Sequence, residues 1–180
     1  MSSIKPHAIR LGKLLDIIES RQSLKMKTDY RSDQYDQAFS DGIEFNWWHM
    51  AKNRIVTDVI KSFAKSKPVV LDVGCGRGIT VKHLRDKGID CVGVELAKPL
   101  AIKGADQHIR VGMSALDIPS TERKCYDTIL LLDVIEHIAD PVEYLQNLAN
   151  AFPNLSLIIV TVPARPELWS DYDEFYGHYK

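Results

Sequence analysis

Hydrophobic positions fall into two regimes along this chain. Between Val69 and Val162, short aliphatic runs without polar alternation are separated by amphipathic stretches. Val69 to Val73, Cys91 to Leu96, His108 to Val111, Tyr126 to Asp133 and Leu155 to Val162 read as strands, and Ile129 to Leu132 is the purest apolar run among them. Gly78 to Lys87, closed by Gly88, and Asp140 to Phe152 read as helices, with a further short helix around Pro99 to Lys103. The Asp140 helix has the strongest start signal. Asp140 stands at the N-cap, Pro141 at N1 and Glu143 at N3, and Leu145, Leu148, Ala149 and Phe152 then share one face. Strands that lack a polar side and alternate with helices predict an α/β fold, a doubly wound and mainly parallel sheet covered on both faces.

Before Val69 the period is helical. Leu11, Leu14, Leu15 and Ile18 recur at i, i+3, i+4, i+7 within Pro6 to Arg21, and Val56, Val59, Ile60 and Phe63 do the same within Asn46 to Lys65, ahead of Pro68. Lys25 to Gly42 is polar, has no clean period and reads as a loop or lid. The chain therefore divides into a helical and loop arm, residues 1–45, and an α/β domain, residues 46–180. Trp47 and Trp48, at the start of the second helix, read first as packing of the N-terminal helical region onto the sheet, and second, with Tyr30, as a cap over a pocket.

Composition narrows the class. At 180 residues the chain has room for one globular domain, and 45% hydrophobic with 26% charged residues excludes disorder, collagen and coiled coil. A net charge of −1 gives no overall basic field, so no nucleic-acid partner is expected, although Met1 to Arg31 carries seven Lys/Arg against three Asp/Glu. Cys75, Cys91 and Cys125 are odd in number and contain no CxxC pair, which argues against disulfides or a zinc site and favours a cytoplasmic setting. No secretory h-region and no run near 18 apolar residues is present, so neither a signal peptide nor a membrane span is expected.

The most informative segment is Val69-Val-Leu-Asp-Val-Gly-Cys-Gly-Arg-Gly-Ile79, a strand that runs through Gly74, Gly76 and Gly78 into a helix. Ligands of open α/β sheets bind at such carboxyl ends. The spacing is GxGxG, not the dinucleotide GxGxxG, and Asp72 precedes the first glycine by two residues. A carboxylate there repels a pyrophosphate and attracts a ligand carrying an ammonium and a sulfonium. Glu95 ends the second strand, where an acid can accept both hydrogen bonds of a ribose diol.

With "LDVGCGRG" at residues 71–78, "VGVEL" at 92–96, "SALDIP" at 114–119 and "YDTILLLDVIEHIADP" at 126–141, the sequence resembles the class I S-adenosylmethionine-dependent methyltransferases. The tail "LWSDYDEFYGHYK" is similar to that of the branch containing the ubiquinone-type O-methyltransferases and others acting on glycans or lipids. The resemblance implies a Rossmann-like sheet of order 3-2-1-4-5 and S-adenosylmethionine as cofactor, with S-adenosylhomocysteine as product. It further implies Asp72 at the cofactor's ammonium, backbone of Gly74, Cys75, Gly76 and Gly78 near the methionine part, Glu95 at the ribose and Leu96 against the adenine. Ser114 and Ala115 belong to the adenine-side loop, and Leu132 and Asp133 end the fourth strand beside the sulfonium. Where the family's loop usually begins with an acid, this chain has Ser114, and the next acid is Asp117. A serine oxygen can accept the adenine amino hydrogen bond more weakly, or the contact passes to a backbone carbonyl.

Ile135, Glu136 and His137 are expected to line the mouth. His137 and His178 are the candidate general bases, each set against an orienting or structural role, and Asp171 and Asp173 are tail acids that serve equally well as turn formers. Glu136 and His137 do not suggest a metal pair, since adjacent residues on a helix start point about 100° apart. The leading reading is methyl transfer by in-line displacement to a hydroxyl or other nucleophile of a small-molecule, lipid-linked or glycan-linked acceptor. The alternatives are a non-catalytic cofactor-binding module or shortened methyltransferase acting through protein association, and, last, a nicotinamide oxidoreductase. Only 18 residues follow Val162. The resembling family continues through another helix and an antiparallel strand pair, so the domain is expected to be C-terminally incomplete, with an exposed sheet edge open to homodimerisation.

Overall fold

The computed structural model describes residues 42–163. Helix α1 (Trp47–Phe63) leads into strand β1 (Val69–Val73), and then helix α2 (Ile79–Asp86), strand β2 (Asp90–Glu95) and the short strand β3 (Ile109–Val111) follow. A one-turn helix α3 (Ser120–Arg123), strand β4 (Thr128–Leu132), helix α4 (Pro141–Ala151) and strand β5 (Leu157–Thr161) complete the described chain. The strands form one sheet of order β3-β2-β1-β4-β5, with every pairing parallel. The expected doubly wound α/β architecture and its strand order are both present.

Alternation along the central strands assigns their side chains to two cores. Leu71, Val73, Ile129 and Leu131 face α4, where they meet Tyr144, Leu148 and Phe152. Val70, Leu130 and Leu132 face the other way, onto Val56, Val59 and Ile60 of α1 and Val81 and Leu84 of α2. Every residue of β4 is buried, which is why its sequence has no polar alternation. The same parity puts Asp72 on the α1 and α2 side of β1.

The helix starts obey local chemistry. Asn46 caps α1 by accepting from the Trp48 N–H at 2.9 Å, and Asp140 caps α4 by accepting from Glu143 N–H at 2.9 Å with Pro141 in the first turn. Helices α1 and α2 meet through a buried polar seam as well as apolar side chains. Asn53 Oδ1 accepts from the Thr80 hydroxyl at 2.8 Å, the Thr57 hydroxyl donates to Asn53 O at 2.8 Å, and His83 Nε2 lies 3.2 Å from Thr57 Oγ1. Because the Thr57 proton goes to Asn53 O, the His83 ring nitrogen must be the donor in the last contact. Burial holds the His83 pKa below its ordinary value.

Two expectations are corrected. Residues 99–103 form no helix: the segment is irregular and leads into turns from Lys103. Their backbone is tied sideways to the glycine loop: Ile102 N–H donates to Arg77 O at 2.9 Å, and the Arg77 guanidinium donates to Leu100 O at 2.8 Å, so these groups do not enter an i to i−4 ladder. Trp47 and Trp48 do not pack into the core, being 73% and 54% exposed, while α1 docks through Val56, Val59 and Ile60 about two to four turns later. The arm of residues 1–41 and the tail beyond residue 163, with Tyr30, Asp171, Asp173 and His178, lie outside the described residues. Among the described residues no helix is long and apolar enough to cross a membrane.

Strand β2 is fixed against the glycine loop by the absence of a side chain at Gly93. A Cβ there would stand 2.5 Å from Cys75 Sγ, 2.7 Å from Cys75 Cβ and 2.9 Å from Val81 Cγ2. Gly93→Ala is therefore expected to cost about 1–3 kcal/mol through overpacking, read as a lowered midpoint in urea denaturation with an unchanged slope.

Candidate active site

The site is built at the carboxyl ends of β1, β2 and β4. After Val73 the chain turns through Gly74, Gly76 and Gly78 at φ of 73°, 53° and 82°, left-handed values that side chains disfavour. The turn is clamped on one side by β2, since the Gly74 and Cys75 N–H groups both donate to Val94 O at 2.9 and 3.1 Å. Val134 closes the other side, where a Cβ at Gly74 would meet its Cγ2 at 2.6 Å. Gly78 caps α2 and admits Ala105 and Ile109, which would stand 2.7 and 2.9 Å from an added Cβ. Cys75 turns its thiol towards Gly93 in the protein interior, and burial raises its pKa. Only its backbone remains on the turn's outer surface.

Glu95, at the tip of β2, is 6% exposed. Its Oε2 accepts from Gly76 N–H at 3.0 Å and its Oε1 from Ala97 N–H at 3.0 Å. Each carboxylate oxygen keeps a further lone pair for a hydroxyl donor. Leu96 follows at 47% exposure, available to a flat apolar partner. The loop after β3 is attached to the same tip by Met113 N–H donating to Glu95 O at 3.1 Å.

Ser114 and Asp117 form a capping box around the turn Ala115–Asp117. Ser114 Oγ accepts from Leu116 N–H at 3.2 Å, and Asp117 Oδ2 accepts from Ser114 N–H at 2.7 Å. The acid three residues beyond Ser114 is thus committed to the turn, while Ala115 is buried beneath it. Arg110 clamps Glu122 with two hydrogen bonds of 2.6 and 3.0 Å, and the Tyr126 hydroxyl donates to the same carboxylate at 2.8 Å, tying β3 to the lead-in of β4. The Arg110 hydrogen bond holds the Glu122 pKa below its usual range.

At the end of β4, Leu132 is buried and Asp133 adopts φ 58°, the one non-glycine residue with positive φ among the described residues. Both its carboxylate oxygens are held. Thr161 Oγ1 of β5 donates to Oδ1 at 2.8 Å, and Lys52 Nζ of α1 donates to Oδ2 at 2.8 Å. The turn Ile135–His137 follows, with His137 N–H donating to Val134 O at 3.0 Å. Lys52 and Thr161 were not singled out from the sequence. Lys52 had a legible signal: it stands four residues before Val56, in the apolar stripe of its helix, where a lysine needs a buried partner.

Several carboxyl groups share this region. Asp72, 2% exposed, has its pKa pushed up to about 7 by burial and by Glu95, against the opposing pull of Lys52. Burial pushes Glu136 up to about 7 as well, with Asp133 adding to it, opposed first by a hydrogen bond from its own backbone and then by Lys52. The result is a group of strand-end side chains with more acid than base, suited to a cation.

The comparisons with known proteins agree with this chemistry. A family model described as a methyltransferase domain matches residues 42–178. The chain belongs to the class I S-adenosylmethionine-dependent methyltransferases. It is 32% identical over 82 residues to a ubiquinone biosynthesis O-methyltransferase of Roseobacter denitrificans, covering 42% of this chain and 33% of that one. With the corresponding enzyme of Aeromonas salmonicida it shares 25% identity over 162 residues, 80% of this chain and 68% of the relative. Across the Roseobacter, Nitrosomonas and Hydrogenovibrio relatives, the match spans 33–44% of the relative's length. Solved structures share the fold: the plantazolicin methyltransferase BpumL in complex with SAH, at TM-score 0.54 and 21% identity, covers 81% of this chain and 59% of its own. The PH0226 protein of Pyrococcus horikoshii, at TM-score 0.55 and 21% identity, covers 78% and 66% respectively.

The residues present fit the family's cofactor, S-adenosylmethionine. The glycine turn leaves backbone uncovered where a side chain would block approach, Asp72 lies behind it as a partner for an ammonium, and Glu95 has acceptor capacity left for a diol. In the free protein the raised Asp72 carboxyl holds a proton that the unfolded chain has lost. Its contribution to stability is thus full below pH about 4 and disappears as pH rises through about 7. A bound ammonium reverses the preference and favours ionised Asp72. Binding of S-adenosylhomocysteine at pH 6 is therefore expected to release protons and to tighten as pH rises through about 7. Calorimetry in buffers of different ionisation enthalpy reads this release, and Asp72→Asn should remove its share.

Proposed function

We propose that this chain transfers a methyl group from S-adenosylmethionine to a hydroxyl oxygen of a small-molecule, lipid-linked or glycan-linked acceptor. The observation that carries the reading is the convergence of the glycine turn, Asp72 and Glu95 at adjoining strand ends, with Glu95 bonded directly to the Gly76 N–H. The choice of oxygen as acceptor atom follows the ubiquinone biosynthesis O-methyltransferases among its relatives.

When bound, the cofactor supplies a methyl group on a positively charged sulfur. The protein's contribution is alignment. Glu95 receives the ribose hydroxyls, Asp72 attracts the ammonium, and the glycine turn allows the methionine part to lie against backbone. Leu132 and Val134 make the wall beside the sulfur apolar, which limits water at the point of transfer. Ser114 Oγ accepts from Leu116 N–H and from the N3 backbone of its own capping box, so the adenine amino contact falls to a backbone carbonyl of this loop. The acceptor enters across the start of α1. Trp48 precedes Lys52 by four positions on the same helix face, and Lys52 reaches Asp133, so the tryptophan stands one turn out from the end of β4. Trp47 and Trp48 lie edge to face with centroids 5.8 Å apart and, with exposed Phe45 and Leu100, suit an apolar acceptor body.

Thermal shift with S-adenosylmethionine, S-adenosylhomocysteine and NAD tests the reading. The two sulfur nucleosides should stabilise the protein and NAD should not; stabilisation by NAD alone would refute it. Glu95→Ala should weaken S-adenosylhomocysteine by about 1.5–3 kcal/mol, the worth of hydrogen bonds to a charged group, in isothermal titration. Unchanged affinity would remove Glu95 from the ribose.

A further inference from the structure

We propose that Glu136 is the general base that takes the proton from the acceptor hydroxyl, and that Lys52, paired with Asp133 three residues earlier, is a positioning residue that fixes the turn carrying it. The assignment rests on the hydroxyl-acceptor reading above. Its basis is geometric. Glu136 sits in the turn directly after β4, two residues from Val134, the side chain that closes the glycine turn. Its Oε2 is buried and has no hydrogen-bond partner among the described residues. A buried carboxylate oxygen left unpaired is costly, which marks it as a group kept for a partner that arrives with the substrate.

The charged and titratable groups facing Glu136 have opposing effects. On its own turn, Asp133 disfavours a second negative charge; from α1, Lys52 favours it. His49, also on α1 beside Lys52, has its pKa lowered by burial and by Lys52, against the pull of Asp133, which disfavours a second cation there. Asp72 on β1 feels the same lysine. Lys52 is thus one ammonium serving several acids, and its 2.8 Å bond to Asp133 fixes its place. With burial opposing ionisation, Glu136 is poised near pH 7, the range in which a base is most effective.

The step balances as follows. The acceptor O–H bond breaks and its proton passes to Glu136 Oε2. The oxygen's electron pair forms the new O–CH3 bond as the methyl's bond to the donor sulfur breaks, and that sulfur keeps the pair as a neutral thioether. Glu136 later releases the proton to solvent.

The test uses the full chain, with catechol as the hydroxyl probe. Methyl transfer by the wild type should rise with pH along an acid limb centred near 7. Glu136→Gln should retain S-adenosylhomocysteine binding by calorimetry, lose the limb and turn over about 100-fold or more slowly at pH 7. Lys52→Met should move the limb to higher pH, and Lys52→Arg should return it towards the wild-type position. Infrared difference spectra between the wild type and Glu136→Gln provide a readout without substrate: a protonated carboxyl band should disappear as pH rises through about 7. The assignment is overturned if Glu136→Gln keeps the limb, if His137→Gln abolishes it instead, or if the infrared band is absent at pH 5. Failure to bind S-adenosylhomocysteine overturns the methyltransferase reading together with this one. Binding without catechol turnover overturns the hydroxyl-acceptor reading, and this assignment with it.

Discussion

The chain must pass from the end of β1 into α2 within five residues, in a space too narrow for side chains. That constraint organises the whole carboxyl end of the sheet. Val94 O accepts two N–H groups from the turn, Val134 fills the place where a Gly74 side chain would be, and Glu95 reaches back to Gly76. Three strand ends are therefore locked to one loop. The left-handed glycines are what allow β2 and the segment after β4 to approach so closely, and the open backbone they leave is also the part of the surface that a ligand can touch.

Electrostatics is the second layer, and it follows from the first. Drawing these strand ends together sets Asp72 beside Glu95 and Glu136 beside Asp133, and burial with those neighbours pushes Asp72 and Glu136 up. Lys52 relieves this only in part. The remaining imbalance gives the pocket its preference for a cation and leaves two carboxyls titrating near neutrality. In a better compensated site, with a second lysine in reach, those carboxyls would remain ionised and inert to pH.

Much of this was legible in the residues. The five strands, the Asp140 cap and the glycine turn follow from patterns a few residues long, because aliphatic run, cap and turn chemistry are local properties; the strand order came from the family resemblance. Asp72 and Glu95 could be placed for the same reason, each lying within two residues of a strand end. The misreadings are all non-local. Residues 99–103 have helix-compatible composition, but their backbone groups are claimed by Arg77, more than twenty positions earlier. The pairing of Lys52 with Asp133 spans 81 positions, and only the lysine's intrusion into an apolar stripe hinted at it.

Thr161 gives β5 a second task. This strand pairs with β4 alone among the described residues, yet its last hydroxyl holds Asp133 in a backbone conformation that costs on the order of 1–3 kcal/mol. Strand ends at a sheet margin open more often than the centre. Fraying at Thr161 would free both the Asp133 N–H and one carboxylate oxygen, leaving Lys52 as the remaining side-chain tether. The order of the site is thus coupled to the end of β5, and amide exchange at Thr161 reads how firmly Asp133 is held.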